Sequence, residues 1–342
     1  MFHNSYRCFT FNYIYLYMFL DILFLILGLV LILVGANALT DGASAVAKRW
    51  GVSDLVIGLT VVAFGTSAPE LSISFISALK GSAEMAVGNV VGSNIFNILV
   101  IIGVTALVAP IRIERSIMTN EIPLVILSAL ALLAIGNGPL LDGNPSPVIS
   151  RVDGILLLLF FAIFMRYTFA QAKSAPEPDP VADSAGNKKG MPVWKSALWI
   201  AGGLAALIYG GDRFVAGASG IASALGVSDA IIGLTIVAAG TSLPELATSV
   251  TAALKGKTGI ALGNVIGSNI FNIFMVLGVT ATVRPLSFGG IGNLDLLVLT
   301  GASLLFWLFG WFFKQRTITR AEGTVLTLGY IAYVTALIMQ AA

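Results

Sequence analysis

Residues 18–36 read MFLDILFLILGLVLILVGA, nineteen positions with a single charge, Asp21. A run of about 20 apolar residues matches the ~30 Å hydrocarbon layer of a bilayer when coiled as a helix. Such runs recur along the chain, and ten spans can be drawn: 19–45, 54–79, 84–109, 117–136, 152–171, 194–211, 229–254, 259–283, 293–313 and 322–341. The chain is 57% hydrophobic and 11% charged, where soluble domains carry about 25% charged residues. It has too little polar surface to enclose one aqueous core and reads as a membrane protein. Lipid offers no partners for free backbone groups, so the spans must be helices. A β-barrel would alternate in segments of about 10 residues, and these runs are continuous. The expected fold class is an all-α membrane protein of ten transmembrane helices.

Residues 1–17 are aromatic-rich and unlike the apolar run that begins at Met18. Met18 is read as the natural start and 1–17 as an N-terminal extension, without the cleavage pattern of a signal peptide. A polar segment at 174–193, opening SAPEPDPVADSAGNKKG, reads as a linker. It separates residues 18–173 from 194–342, five spans each. With the linker in the cytoplasm, 14 of the 19 Lys and Arg residues lie on the cytoplasmic side and 5 on the other. The positive-inside rule therefore puts both termini outside. The chain has one cysteine, Cys8, and one histidine, His3. That count excludes an internal disulfide, a zinc or copper site built on His and Cys, and a histidine proton relay.

Shifting the chain by 175 residues superposes its halves. Residues 51–81 match 226–256 at 21 of 31 positions, and 82–110 match 257–285 at 17 of 29. Five spans is an odd number, so the second copy enters the membrane upside down. Inverted repeats of this kind place a binding site near the bilayer midplane, between the copies.

The repeated letters carry the chemistry. GTSAPEL at 65–71 returns as GTSLPEL at 240–246. Pro69 has no N–H and clashes with the carbonyl four residues back, at Gly65, so the helix breaks or kinks there. Carbonyls from Ala63 to Thr66 are expected to lose partners, which lipid tolerates only where a cation or water replaces them. Thr66, Glu70 and Ser74 share a face, as do Thr241, Glu245 and Ser249. GNVVGSNIFN at 88–97 returns as GNVIGSNIFN at 263–272, placing Ser93 with Asn97, and Ser268 with Asn272, four apart. Two carboxylates, hydroxyls, amide oxygens and freed carbonyls are hard ligands that suit Ca²⁺ or Na⁺.

A carboxylate at mid-membrane costs about 2.5–3.5 kcal/mol on insertion scales. Two facing carboxylates repel, and a divalent cation or several monovalent ones would neutralise them. One site that takes either load is the physical basis of exchange. A lone glutamate in a span can be structural; recurrence with the same proline and hydroxyl argues against that here. Asn94 and Asn269 sit about 100° round the helix from Ser93 and Ser268 and are open between packing and binding, as are Asn89 and Asn264. Asp54 and Asp229 are read as caps of the helices they precede. Asp21 is placed near the outer interface.

These residues resemble the cation/Ca²⁺ exchanger superfamily, in particular the prokaryotic Na⁺/Ca²⁺ exchanger branch with its potassium-dependent-like members. The resemblance spans both signature repeats, 54–110 and 229–285, and the ten-span layout. It implies that Glu70 and Glu245 are the ligands shared by Ca²⁺ and Na⁺, and that Thr66 and Thr241 help bind Ca²⁺. It further implies that Ser67, Ser242, Ser93, Ser268 and the carbonyls of Ala63 and Ala238 bind Na⁺, and that Asn97 and Asn272 complete the middle site. The first and sixth spans of the family slide as a pair, their glycine-rich ends corresponding to Gly35, Gly42, Gly210 and Gly217. Potassium-dependent eukaryotic members carry aspartate where this chain has Asn272, which weakens the case for K⁺. The short linker leaves no room for the large calcium-sensing loop of animal exchangers.

The expectation is a non-enzymatic secondary antiporter in a bacterial or archaeal cytoplasmic (inner) membrane, acting as a monomer. No prosthetic cofactor and no nucleic acid are expected. A Ca²⁺/H⁺ antiporter is the alternative, because a carboxylate binds protons as well as metal ions. A channel is disfavoured, since two buried glutamates would hold a divalent ion too tightly for fast passage. An intramembrane hydrolase would need a water path that nothing in the sequence marks.

Overall fold

The computed structural model describes residues 2–143, 146–173, 191–226, 238–312 and 316–341. The chain is mostly helical: α1 Phe2–Trp50, α2 Asp54–Thr66, α3 Ala68–Leu79, α4 Ala83–Val108, α5 Ile117–Gly136, α6 Gly138–Asp142 and α7 Arg151–Lys173. After the linker come α8 Val193–Ala224, α9 Ala238–Gly240, α10 Leu243–Leu254, α11 Thr258–Val283, α12 Asn293–Phe312 and α13 Arg320–Ala341. Among the described residues eight helices are long and apolar enough to cross a membrane, or nine when the bent pair α2–α3 counts as one span. The seventh expected span, 229–254, begins in residues outside the description; α9 and α10 are its described remainder. The linker and Asp229 also lie outside the described residues.

The most buried helices are α4 and α11, which carry the repeated GNxxGSNIFN segments. Each changes its hydrogen-bond ladder in mid-helix, where the repeated segment ends. The π-helical stretch of α4 is Asn97–Ile102, and that of α11 is Phe271–Leu277. A third π stretch, Gly58–Val62, lies in α2. Single π turns of this kind re-aim side chains and concentrate at functional positions; a 3.6-residue reading of the sequence does not reveal them. Around this centre α1, α7 and α13 turn apolar side chains outward, including Ile26, Val30, Val34, Leu159, Ile163, Leu328 and Ile331. That is the surface a bilayer wets.

Helices α1 and α8 pack along a glycine seam. Gly28, Gly35 and Gly42 on α1 and Gly203, Gly210 and Gly217 on α8 are all spaced by seven. A Cβ on Gly28 would lie 2.4 Å from the Phe214 nitrogen, and one on Gly203 would lie 2.7 Å from the Leu39 nitrogen. Backbone-to-backbone contact of this closeness needs glycine and substitutes for hydrophobic driving force between helices in lipid. The seam also corrects the expected sixth span. An end at residue 211, before Asp212 and Arg213, is too early, because α8 runs to Ala224. The two charges pair with each other, and Gly217 and Gly220 extend the packing onto Asp21.

Two small antiparallel pairs, absent from the all-α expectation, tie loops together. β1 Ile111–Arg112 pairs with β4 Thr317–Ile318, and β2 Val148–Ile149 pairs with β3 Leu286–Ser287. Each joins the first half of the chain to the second. Asp54 is also corrected: the cap of α2 is Ser53, whose hydroxyl oxygen accepts the Val56 N–H at 3.3 Å, while Asp54 sits one residue inside and pairs with Lys257 at 3.4 Å.

Candidate ion-binding site

Proline breaks both signature helices. α2 ends at Thr66 and α3 begins at Ala68, with a 44° bend between them. In the second copy α9 ends at Gly240 and α10 begins at Leu243. Pro69 and Pro244 occupy the first turns of the new helices, where a missing N–H is harmless. Glu70 and Glu245 sit in those same first turns, where the helix macrodipole favours negative charge.

Both glutamates are shut away from the surface, at 0% and 1% exposure. Each is bonded by a serine from the other half. Ser67 Oγ donates to Glu245 Oε1 at 2.9 Å, and Ser242 Oγ donates to Glu70 Oε1 at 3.3 Å. Ser93 Oγ stands 3.5 Å from the same Glu70 oxygen. The crossing of these bonds brings the two broken helices to one place. The second oxygen of each carboxylate has no partner, and neither do Thr241 Oγ1, Ser268 Oγ, Asn97 Oδ1 and Asn272 Oδ1, all buried. An unsatisfied buried polar atom costs about 1–3 kcal/mol. With Asn269 Oδ1, seven such atoms at the signature segments make a set of oxygens in want of a cation. Among the described residues no cluster of three or more His, Cys, Asp or Glu side chains forms. The set is thus two charges and several neutral oxygens, a composition for Na⁺ or Ca²⁺ and not for a soft metal.

The other predicted residues divide. Thr66 Oγ1 lies 3.0 Å from Asn264 Oδ1 and 3.1 Å from the Val62 carbonyl, so its hydroxyl already has partners. The Ala63 carbonyl, expected to be freed, accepts the Ser67 N–H at 3.0 Å. Its mate differs: the Ser242 N–H goes to Ala239 at 3.2 Å, one residue beyond Ala238. Asn89 and Asn264 act as braces. Asn89 Nδ2 donates to Ser74 Oγ at 3.0 Å and approaches the Glu70 carbonyl at 3.4 Å. Asn264 Nδ2 repeats this with Ser249 Oγ at 2.9 Å and the Glu245 carbonyl at 3.2 Å.

Residues 20–170 and 195–339 match the sequence family described as sodium/calcium exchanger protein. The chain belongs to that family. It is 41% identical over 303 residues to CaxA of Alkalimonas amylolytica, covering 87% of this chain and 92% of the relative. It is 32% identical over 340 residues to the sodium/calcium exchanger MaX1 of Methanosarcina acetivorans, covering 89% and 94%. A solved structure of the sodium-calcium exchanger NCX_Mj, soaked with 10 mM Na⁺ and zero Ca²⁺, superposes with a TM-score of 0.79 at 34% identity, covering 94% of this chain and 99% of that one. This exchanger is therefore a membrane transporter and not a member of an enzyme family.

Two cavities reach the site of this exchanger, and Thr241 and Ile73 line both. One, of about 610 Å³, is lined by Gly88, Asn89, Gly92, Ser93 and Asp295, among others. The other, of about 490 Å³, runs between Pro69, Asp212 and Pro244. Sequence reading missed Asp295, which accepts the Tyr333 hydroxyl at 2.6 Å. It also missed Glu121, a fully buried carboxylate away from the signature segments that accepts Tyr167 and Gln171 at 3.0 and 2.9 Å. Neither acid has a counterpart in the 175-residue alignment, which is the signal that exposed the others.

Proposed function

We propose that this protein is a Na⁺-driven Ca²⁺ antiporter, built from two inverted repeats of five spans and working by alternating access. The observation that carries the reading is the reciprocal pair of bonds, Ser67 to Glu245 and Ser242 to Glu70, between carboxylates that each keep one oxygen unpaired. Either glutamate alone would be a buried charge without a counter-ion. Together they form a site of charge −2 that one Ca²⁺ neutralises and that several Na⁺ ions neutralise equally well. Because the loads share the same oxygens, binding of one excludes the other, and the site crosses the membrane only when filled.

In this reading Glu70 and Glu245 hold both ions, and Thr66 and Thr241 assist Ca²⁺. Ser67, Ser242, Ser93, Ser268 and the carbonyls of Ala63 and Ala238 serve Na⁺, and Asn97 and Asn272 supply neutral oxygens at the centre. The names of MaX1 and NCX_Mj, both sodium/calcium exchangers, support Na⁺ over H⁺ as the coupling ion. Both termini lie outside, the linker faces the cytoplasm, and one chain contains a whole site.

The test is ⁴⁵Ca²⁺ uptake into proteoliposomes. Uptake is expected when the vesicles are loaded with Na⁺ and absent when they hold only a pH gradient. Uptake driven by the pH gradient without Na⁺ would make the glutamates proton carriers and overturn Na⁺ coupling.

A further inference from the structure

Asn94 is fully buried and lies on α4, about a third of a turn from the signature serine. It donates from Nδ2 to the backbone carbonyl of Asn269 on α11 at 3.1 Å. It accepts at Oδ1 from Asn272 Nδ2 at 3.0 Å. The two ends of an amide are chemically different, one donor and one acceptor. A backbone carbonyl can only accept, so the Asn269 carbonyl fixes which end of Asn94 faces α11. That leaves the Asn94 oxygen facing Asn272. An oxygen can only accept in its turn, so Asn272 must offer its NH₂ group there. The remaining end of Asn272, its Oδ1, is then turned away from Asn94, and it is buried without a partner.

We infer that Asn94 is a positioning residue: through a polarity chain anchored on the Asn269 carbonyl, it forces Asn272 to present oxygen and not nitrogen to the cation. The inference rests on the proposed role of Asn272 as an ion ligand. Without the chain the Asn272 amide can turn over and point two N–H donors at a positive ion. The device belongs to one half only. Asn269, the mate of Asn94, donates back to Val265 of its own helix at 2.7 Å and does not reach across to α4. The near-identical segments thus divide the work, and the difference lies in the amide orientation and not in the letters.

The consequence is a dependence of one residue on another. Asn94→Leu keeps the number and branching of side-chain heavy atoms and removes both hydrogen bonds. It should raise the half-saturating Ca²⁺ of purified protein about tenfold, the scale seen when a partner that orients a metal ligand is lost, with an unchanged size-exclusion profile. A carboxylate at position 272 shows oxygen whichever way it turns. In an Asn272→Asp background, Asn94→Leu should therefore leave the half-saturating Ca²⁺ where Asn272→Asp alone puts it. An equal loss in both backgrounds would overturn the inference and leave Asn94 as a packing residue. Should Asn94→Leu fail to fold, Asn94→Ala tests the same point. It too removes both hydrogen bonds, so it should weaken Ca²⁺ binding about tenfold in the unaltered protein and leave it unchanged in the Asn272→Asp background; an equal loss in both would contradict the chain of polarity. Asn272→Leu separates the two readings. If it leaves Ca²⁺ binding unchanged, Asn272 is not a ligand and the inference falls with it. If it weakens binding while Asn94→Leu does not, only the role of Asn94 is lost.

Discussion

Residues 88–97 and 263–272 differ at one letter, GNVVGSNIFN against GNVIGSNIFN, yet they occupy different surroundings. In the second copy Gly263, Asn264 and Gly267 are buried against α2. A Cβ on Gly263 would lie 2.6 Å from the Leu55 carbonyl oxygen, and one on Gly267 would lie 2.7 Å from Ala63 Cβ. In the first copy Gly88, Asn89 and Gly92 are half-buried and line a cavity of about 610 Å³. Among the described residues, only Ile291 stands near Gly88, at 3.6 Å. The letters are the same, so the difference lies in what each segment packs against among the described residues: α2 covers 263–272, whereas 227–237, the match of 52–62 in the 175-residue shift, lie outside the description.

The comparison can be broken most severely at the glutamates. Glu70→Gln and Glu245→Gln should each lower ⁴⁵Ca²⁺ exchange by more than about 100-fold, beyond the range for outer-shell partners at a metal site, with folded protein recovered. If only one of them matters, the two halves do not share a site. The glycines test the two packings. Gly263→Ala presses a methyl group into the α2 backbone and should cost about 1–3 kcal/mol in thermal unfolding, the usual penalty of overpacking. A Cβ at position 88 meets Ile291 at 3.6 Å, an ordinary contact. Gly88→Ala should leave stability unchanged or raise it by up to about 1 kcal/mol through helix propensity, while slowing exchange because a methyl group then stands in the cavity beside Asn89. Equal destabilisation by both substitutions would remove the asymmetry. The smallest effect is expected outside the site. Asp54→Asn breaks a part-exposed pair with Lys257 worth at most about 1 kcal/mol, and exchange should continue at close to the normal rate.

Much of this is legible in the sequence because proline, glutamate and small polar residues stand out against an apolar background. The helix break at Pro69, the burial of Glu70 and Glu245 and the packing of α4 against α11 all come from residue types whose demands in lipid are severe. What stays illegible is orientation. Asn89 and Asn94 are the same residue five positions apart, and one braces the Glu70 carbonyl while the other reaches α11. Both lie in the regular α-helical part of α4, ahead of its π stretch; ideal spacing turns them to different faces, about 140° apart, but does not say which neighbour each face meets. The length of α8 escapes a sequence reading for a related reason. Asp212 and Arg213 look like a membrane boundary one at a time, but they neutralise each other, and the glycine seam with α1 carries the helix past them. At the start of α2 an aspartate looks like the cap, yet the serine beside it makes the bond.

The central claim is that one set of oxygens serves both ions. Equilibrium ⁴⁵Ca²⁺ binding to purified protein, titrated at rising Na⁺, tests it without any transport step. A shared site requires the half-saturating Ca²⁺ to climb with Na⁺ while the number of Ca²⁺ ions bound per chain at saturation stays constant. Ca²⁺ binding that Na⁺ leaves untouched would mean separate sites, and the paired glutamates would then have to be reassigned to Ca²⁺ alone.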